Sequence, residues 1–79
     1  MTEVDIEYCH PCGHLERALD VQGAVLGRYG EALESARLVV GDGGVFRVSV
    51  DGEEIFDVDE EAYDREAIVE RVGTRLEGA

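Results

Sequence analysis

A cluster of reactive residues between a predicted strand and a predicted helix is the feature that most constrains this chain. Residues 8–14 contain both cysteines, both histidines and the only proline. Apolar and acidic residues alternate before the cluster, which predicts a strand over residues 3–8. Apolar residues then recur at three- and four-residue spacing, which predicts an amphipathic helix opened by residues 11–13 and ended at Gly30. The cluster is therefore expected where the chain passes from a sheet into a helix.

The rest of the chain predicts three more strands and a second helix. Apolar runs and period-two alternation place the strands over residues 36–40, 46–50 and 54–58. Asp51 and Gly52 form a dipeptide that favours a two-residue hairpin turn. The glycine-rich residues 41–44 are predicted to form another turn. The last amphipathic pattern predicts a helix from an N-cap at Asp64 to about Leu76.

The element order β-α-β-β-β-α predicts an α/β fold. The first strand, helix and second strand should form a parallel, right-handed unit, to which the hairpin adds antiparallel strands. The polar residues that alternate along the first and third strands indicate a sheet covered on one side only. The prediction is a two-layer sandwich, with a mixed four-stranded sheet and both helices on one face, in a single domain over residues 1–79.

Charge excludes several classes of partner. The chain carries 19 acidic residues and 7 basic residues, all of them arginine, for a net charge of −12. Such a chain repels phosphate groups and anionic lipids, so we expect neither nucleic acid nor membrane as a partner. Adaptation to high salt is the favoured interpretation of this acidity, and an acidic interaction surface is the alternative.

The sequence also predicts a cytoplasmic location. Residues 1–5 are acidic, whereas a secretion signal begins with basic residues followed by an apolar run. No apolar run approaches the length needed to span a membrane. In the cytoplasm, thiols are kept reduced unless they take part in a redox cycle.

Cys9 and Cys12 point to thiol–disulfide chemistry. They are too close in sequence to close a long loop, so a disulfide between them would stabilise the fold little. Their spacing at the start of a helix brings two sulfurs within bonding distance, and the helix N-terminus favours the thiolate. One cysteine would attack a disulfide and the other would resolve the mixed disulfide, with no cofactor. His10 would favour the thiolate further, and Pro11 would stiffen the turn.

Two other interpretations of the cysteines remain open. Cys9, Cys12 and His14 could supply three ligands to zinc or to a cuprous ion. The chain has no second pair of this kind, so a fourth ligand would have to be a carboxylate, water or a partner chain, and we expect no metal. The cysteines could also be inert buried thiols. For both histidines, the alternative to tuning the thiols is simple exposure at the start of the helix.

Three stretches of the chain resemble the Rdx, or selenoprotein W-like, family. They are residues 6–12, which resemble the strand and Cys-x-x-Cys of the family, residues 43–48, which resemble its Gly-x-Phe-Glu-Val signature, and residues 50–57, which resemble its hairpin. The resemblance implies a thioredoxin-like fold and thiol-based redox activity. Cys12 matches the position of selenocysteine in some members, which suggests that Cys12 attacks. The general thioredoxin pattern would instead make Cys9 the attacking residue.

The expected partners are protein thiols and disulfides or a low-molecular-weight thiol. Pro11, Phe46 and Phe56 are candidate contact residues for such a partner. The same residues could serve a non-enzymatic binding module whose docking depends on redox state. The sequence departs from the family at Arg47, where Glu is usual, and this departure bears on partner specificity more than on the fold.

Overall fold

Strands and helices follow one another in the predicted order. The computed structural model describes residues 2–78, and its main elements are β1 Thr2–Cys9, α1 Leu15–Tyr29, β2 Leu33–Gly41, β3 Phe46–Val50, β4 Glu53–Asp57 and α2 Arg65–Gly78. A short 3-10 turn, Gly30–Ala32, joins α1 to β2. The predicted α/β class is confirmed. β2 starts three residues earlier than predicted, because its first residues pair with the beginning of β1.

The four strands form one mixed sheet in the order β2-β1-β3-β4. β1 pairs in parallel with β2 and antiparallel with β3, and β3 pairs antiparallel with β4. β1 is therefore an interior strand, and its last residue, Cys9, is at the middle of the sheet rather than at an edge. β2 and β4 are the two edges.

Alternation along β1 separates a dry face of the sheet from a wet one. Val4 and Ile6 are fully buried, and Tyr8 is 5% exposed, whereas the acids that alternate with them are exposed at Glu3 and half-buried at Asp5 and Glu7. Both helices pack on the dry face, where they complete one core with the strands, including Ala18, Val21, Val25, Ile68, Val69 and Val72. Each fully buried Val or Ile side chain contributes about 1.5–3 kcal/mol of transfer free energy. The predicted two-layer arrangement is confirmed.

The hairpin between β3 and β4 has the predicted turn. Asp51 and Gly52 both have positive φ values, 52° and 82°, as a two-residue type I′ turn requires. The turn is also tied to β1, since the Asp51 N–H donates to the Glu3 carbonyl at 2.8 Å and the Glu3 N–H donates to Asp51 Oδ1 at 2.9 Å. The loop residue that sets the hairpin register thus also fixes the start of the central strand.

The first helix begins later than predicted. Gly13 has φ of 80°, in the left-handed region, so the chain cannot be helical through residues 11–13. Those residues instead belong to a β-turn, in which the Gly13 N–H donates to the His10 carbonyl at 3.2 Å. Pro11 occupies the second position of this turn, which its fixed φ suits, and is not the first residue of a helix. α1 begins at Leu15 and ends at Tyr29, next to the predicted stop at Gly30.

The second helix starts as predicted and crosses α1 closely. The Ala67 N–H donates to Asp64 Oδ1 at 3.3 Å, so Asp64 is the N-cap. At the other end of the core, the Tyr29 hydroxyl of α1 donates to the Val69 carbonyl of α2 at 3.0 Å. A Cβ atom at Gly73 would overlap that hydroxyl. This close approach, at the end of α1 remote from the cysteines, depends on glycine at position 73.

Within residues 2–78, no helix is long and apolar enough to cross a membrane.

Candidate functional site

Cys9 and Cys12 are joined by a disulfide bond. Their sulfur atoms are 2.03 Å apart and their Cα atoms 5.3 Å apart. Cys9 is the last residue of β1, and the β-turn of residues 10–13 folds the chain back so that Cys12 meets it. The predicted pairing of the two sulfurs is therefore present at the carboxyl end of the central strand.

The two cysteines differ sharply in exposure. Cys9 has 0% of its surface exposed, whereas Cys12 lies on the exposed outer side of the turn. The Cys9 backbone is held on both sides, because its N–H donates to the Val45 carbonyl at 2.7 Å and its carbonyl accepts from the His14 N–H at 3.3 Å. A reagent that approaches from solvent therefore meets the sulfur of Cys12.

A loop that sequence reasoning treated only as a turn covers Cys9. Gly41 pairs with Cys9 across the β1–β2 register, and a Cβ atom at Gly41 would lie 2.8 Å from Val45 Cγ1. The side chains of Val45 and Glu7 thus both lie against Gly41, the residue that pairs with the buried cysteine. We call residues 41–45 the cover loop. Its bend is made by Gly43 and Gly44, with φ of 68° and 84°, and closed by the Val45 N–H, which donates to the Asp42 carbonyl at 3.3 Å.

The two histidines occupy different environments. His10 is exposed, next to Cys12, with its ring centroid 6.2 Å from that of Tyr8. His14 is half-buried: its Nδ1 is 3.5 Å from the Val45 carbonyl oxygen, and its ring meets Phe46 edge-on at 6.1 Å. His14 therefore packs against the cover loop, and His10 is the histidine that shares solvent with Cys12.

Phe46 and Phe56, predicted as contact residues for a partner, are core residues. They are 0% and 2% exposed, so neither ring presents a surface to a partner. Phe46 contacts the rings of both Phe56 and Tyr63, at centroid distances of 6.2 Å and 5.6 Å. Burial raises the pKa of Tyr63. The sequence interpretation was wrong here because alternation shows which face a residue is on, but not how completely the helices cover that face.

The disulfide changes the metal-binding interpretation of the cysteines. A metal ion binds thiolates, and neither sulfur of a disulfide offers one. Among residues 2–78, the carboxylates whose oxygens converge as potential ligands are Glu54, Asp57 and Glu60. Arg47 already lies against two of these acids, with its Nε 3.7 Å from Glu54 and 3.5 Å from Asp57. Cys9, Cys12 and His14 form no ligand set in this form of the protein.

Solved structures resemble this chain over nearly its whole length. A crystal structure of a protein from Bordetella parapertussis is 30% identical, with a TM-score of 0.87, and the match covers 94% of this chain and 96% of that one. A selenoprotein W-related protein from Vibrio cholerae is 22% identical, with a TM-score of 0.89, and the match covers 95% of this chain and 96% of that one. These likenesses agree with the thioredoxin-like fold. No curated protein matches the sequence.

The family resemblance extends beyond the three stretches that first suggested it. The family model described as the Rdx family matches residues 3–74, from the start of β1 through most of α2. The match includes the disulfide, the cover loop and the hairpin. The chain therefore belongs to the Rdx family.

Proposed function

We propose that this protein is a thiol–disulfide redox protein in which Cys9 and Cys12 cycle between a dithiol and a disulfide. The observation that carries the proposal is the disulfide at the end of β1, in which Cys12 is an exposed residue and Cys9 a buried one. Membership of a redox-associated family supports the same chemistry. No cofactor is required, because the two thiols themselves supply the electrons.

The reaction balances with the two cysteines alone. The Cys12 thiolate attacks one sulfur of a substrate disulfide, which forms a mixed disulfide and releases one substrate thiol. The Cys9 thiolate then attacks Cys12 Sγ, which closes the Cys9–Cys12 disulfide and releases the second substrate thiol. The protein loses two electrons and two protons, and the substrate gains them. An external dithiol reverses both steps and restores the reduced protein.

The difference in exposure supports Cys12 as the attacking residue and Cys9 as the resolving one. An incoming sulfur needs a linear approach to the atom it attacks, and only Cys12 lies at the surface. In the reverse direction, an incoming thiolate attacks Cys12 Sγ and Cys9 leaves. This assignment agrees with the match of Cys12 to the selenocysteine position in some relatives.

The surroundings of Cys12 favour its thiolate modestly. The turn places Cys12 three residues before the first residue of α1, Leu15, so the partial positive charge of the helix N-terminus is nearby rather than in contact. His10, exposed on the same turn, supplies a positive charge when it is protonated. We propose that both act on Cys12 and that Pro11 keeps the turn in shape.

The proposed partners are protein thiols and disulfides or a low-molecular-weight thiol, met in the cytoplasm. The net charge of −12 argues against nucleic acids and anionic membranes. The alternative of a non-enzymatic docking module loses support, because the two phenylalanines expected to form its contact surface are buried.

A redox titration tests the proposal. The native protein is equilibrated with glutathione buffers of increasing oxidation, quenched with acid, and its free thiols are counted by mass after alkylation. We expect one transition that gains or loses two thiols together, with a single-cysteine Cys12→Ser variant showing none. Native protein that keeps two free thiols throughout, under buffers that oxidise dithiothreitol, would overturn the redox assignment.

Trapping the intermediate tests which cysteine attacks. Reduced Cys9→Ser protein should form a stable mixed disulfide with oxidised glutathione, since the resolving sulfur is gone. Reduced Cys12→Ser protein should form the adduct far more slowly, because its remaining thiol is buried. Faster adduct formation by the Cys12→Ser variant would show that Cys9 attacks first.

A further inference from the structure

The backbone of β2 faces solvent along one side near the disulfide. The Gly41 carbonyl points inward, since it accepts from the His10 N–H at 3.2 Å, and the Ala36 carbonyl points outward, since it accepts from Gln22 Nε2 at 2.8 Å. Direction alternates along a strand, so the N–H and C=O groups of Leu38 and Val40 also point outward. Within residues 2–78, nothing bonds to these four groups. We call residues 38–40 the open edge.

The opposite edge of the sheet is protected. β4 has a bulge in its pairing with β3 between Val48 and Ser49, and bulges hinder the addition of another strand. Arg71 of α2 reaches over β4 and donates to the Ile55 carbonyl at 3.0 Å while it forms a bidentate pair with Glu61. On the β2 side, Gln22 protects the Ala36 carbonyl alone. One edge is therefore shielded, and the other is left available next to the cysteines.

Apolar side chains flank the open edge. Val40 is 67% exposed and Val39 on the opposite face is 37% exposed. Leu19 of α1 is 48% exposed and lies one turn from Gln22 on the same helix face, which places it beside the edge, level with Leu38. An extended segment laid along β2 would bury these side chains as well as pair with the backbone.

Exposed acids surround this apolar stretch. Glu34 and Asp42 lie beyond its two ends, and Glu16 is exposed in the first turn of α1. The arginine of β2, Arg37, is neutralised by Asp5, with Nε 2.7 Å from Oδ1. A basic segment is attracted to this edge, whereas a second copy of the chain, which also carries a charge of −12, is repelled.

We propose that the open edge is the docking site for the protein substrate of the redox reaction, which adds an extended, basic, cysteine-containing segment as a fifth strand beside β2. The inference rests on the proposed function and names its partner class. Pairing along residues 38–40 places the segment one residue from Gly41, which pairs with Cys9. An extended substrate thus delivers its disulfide to the exposed Cys12 by main-chain hydrogen bonds, with little dependence on its sequence.

A peptide probe tests this docking mode. The probe is a short peptide of alternating valine and threonine with flanking arginines and one cysteine, blocked as a mixed disulfide with thionitrobenzoate. The Cys12 thiolate attacks the peptide sulfur and thionitrobenzoate leaves as a coloured thiolate. Cys9 then attacks Cys12 Sγ and the peptide leaves as a thiol. A matched peptide has N-methyl groups on the backbone amides that flank its cysteine, so side chains and charge are unchanged.

We expect the parent peptide to react about tenfold faster than the N-methylated peptide, which corresponds to the loss of one or two hydrogen bonds. Val40→Asp protein should lose the same factor with the parent peptide, despite its added attraction for arginine. Thr74→Asp, which adds the same charge on exposed α2, should retain the rate. A version of the probe with glutamate in place of arginine should react more slowly at low salt, with the difference shrinking as salt rises.

Equal rates for the parent and N-methylated peptides, full activity of Val40→Asp protein, or equal rates for the acidic and basic probes would each overturn the docking proposal. Oxidised glutathione separates this failure from failure of the redox function, because it is too small to pair as a strand. It should oxidise wild-type and Val40→Asp protein at the same rate. A wild-type protein that reacts with neither glutathione nor the probe would overturn the redox function itself.

Discussion

Cys9 and Cys12 share one bond, yet the protein surrounds them differently. Cys9 ends an interior strand, is closed in by the cover loop and is held by backbone hydrogen bonds on both its N–H and its carbonyl. Cys12 lies on a four-residue turn and is exposed. Packing alone thus gives two chemically identical residues different exposure to solvent. The proposed division of roles between the two cysteines rests on this difference.

The largest expected effect is on alkylation of the reduced protein. In single-cysteine variants, Cys12 should react with iodoacetamide at least about 100-fold faster than Cys9, because Cys9 reacts only through a local opening of about 3 kcal/mol. Mass spectrometry of timed samples gives both rates. The urea-unfolded variants are the control and should react alike. If the alkylation rates of Cys12 and Cys9 in the folded variants agreed within a factor of a few, the proposed difference in accessibility between the two sulfurs would be wrong.

Removing the Phe46 ring, next to the cover loop in sequence, should reduce the difference in alkylation rate between the two cysteines and also lower the stability of the protein. Phe46 is fully buried against His14, Phe56 and Tyr63. Phe46→Ala should lower the free energy of unfolding by about 3–5 kcal/mol in urea titrations, and the milder Phe46→Leu by about 1 kcal/mol. Cys9 should alkylate faster in the Leu variant. Val39→Ala at an exposed site should change stability by less than about 0.5 kcal/mol.

A methyl group at position 41 should disturb the cover loop with a smaller loss of stability than Phe46→Ala. The added Cβ of Gly41→Ala meets Val45 Cγ1 at 2.8 Å and the Glu7 side chain at 3.0 Å, so both side chains have to shift in the region that closes in Cys9. We expect Cys9 to alkylate several-fold faster and stability to fall by about 1–2 kcal/mol. Gly27→Ala, where nothing lies within 4 Å of the new Cβ, is the matched control and should stabilise α1 by up to about 1 kcal/mol.

The double variant Gly41→Ala/Val45→Ala tests whether the new methyl group destabilises the protein by pressing on Val45. Shortening Val45 removes the nearest atom that the new methyl group meets and leaves the two Glu7 atoms at 3.0 and 3.2 Å, so the second substitution should restore part of the stability lost in the first. A non-additive pair would establish the contact in solution. Purely additive losses would show that the new methyl group acts through Glu7 or through backbone conformation, without pressing on Val45.

The smallest expected effect concerns the histidines. His10→Ala should slow alkylation of Cys12 in the Cys9→Ser protein by about twofold at low salt, because a side chain that can carry a positive charge is removed from the turn that holds Cys12. High salt should erase the difference, since His10 is exposed. His14→Ala should instead lower stability, because His14 packs on Phe46. Equal slowing of Cys12 alkylation by the two substitutions would remove the assigned difference between the two histidines.

Local patterns predicted the elements of this fold well, and contacts between distant segments were harder to foresee. Alternation in β1 and the Asp51–Gly52 turn are properties of neighbouring residues, and both are confirmed. The delayed start of α1 also has a local signal, since Gly13 follows proline by two positions as in a β-turn. The burial of Phe46 and Phe56 does not, because it depends on two helices from elsewhere in the chain.

The cover loop shows most clearly what sequence left out. Its role depends on Gly41 and Val45 lying beside Cys9, more than thirty residues away in sequence. The glycines at 43 and 44 indicated a bend, and nothing local indicated what the bend covers. The predicted parallel pairing of β2 with β1 could have placed the cover loop near the cysteines. In a parallel pair, the residues after β2 lie at the same end of the sheet as the residues after β1.

The contact between Tyr29 and Gly73 gives the first helix a mechanical role. This contact attaches the C-terminal end of α1, a helix of 15 residues, to α2. The N-terminal end of α1 is joined to the turn that carries Cys12. The disulfide is not itself the attachment at this N-terminal end, because the peptide chain and the hydrogen bond from the His14 N–H to the Cys9 carbonyl also join the helix to β1. The remote anchor between the Tyr29 hydroxyl and the Val69 carbonyl contains no atom of the disulfide, so it does not depend on the oxidation state of the cysteines.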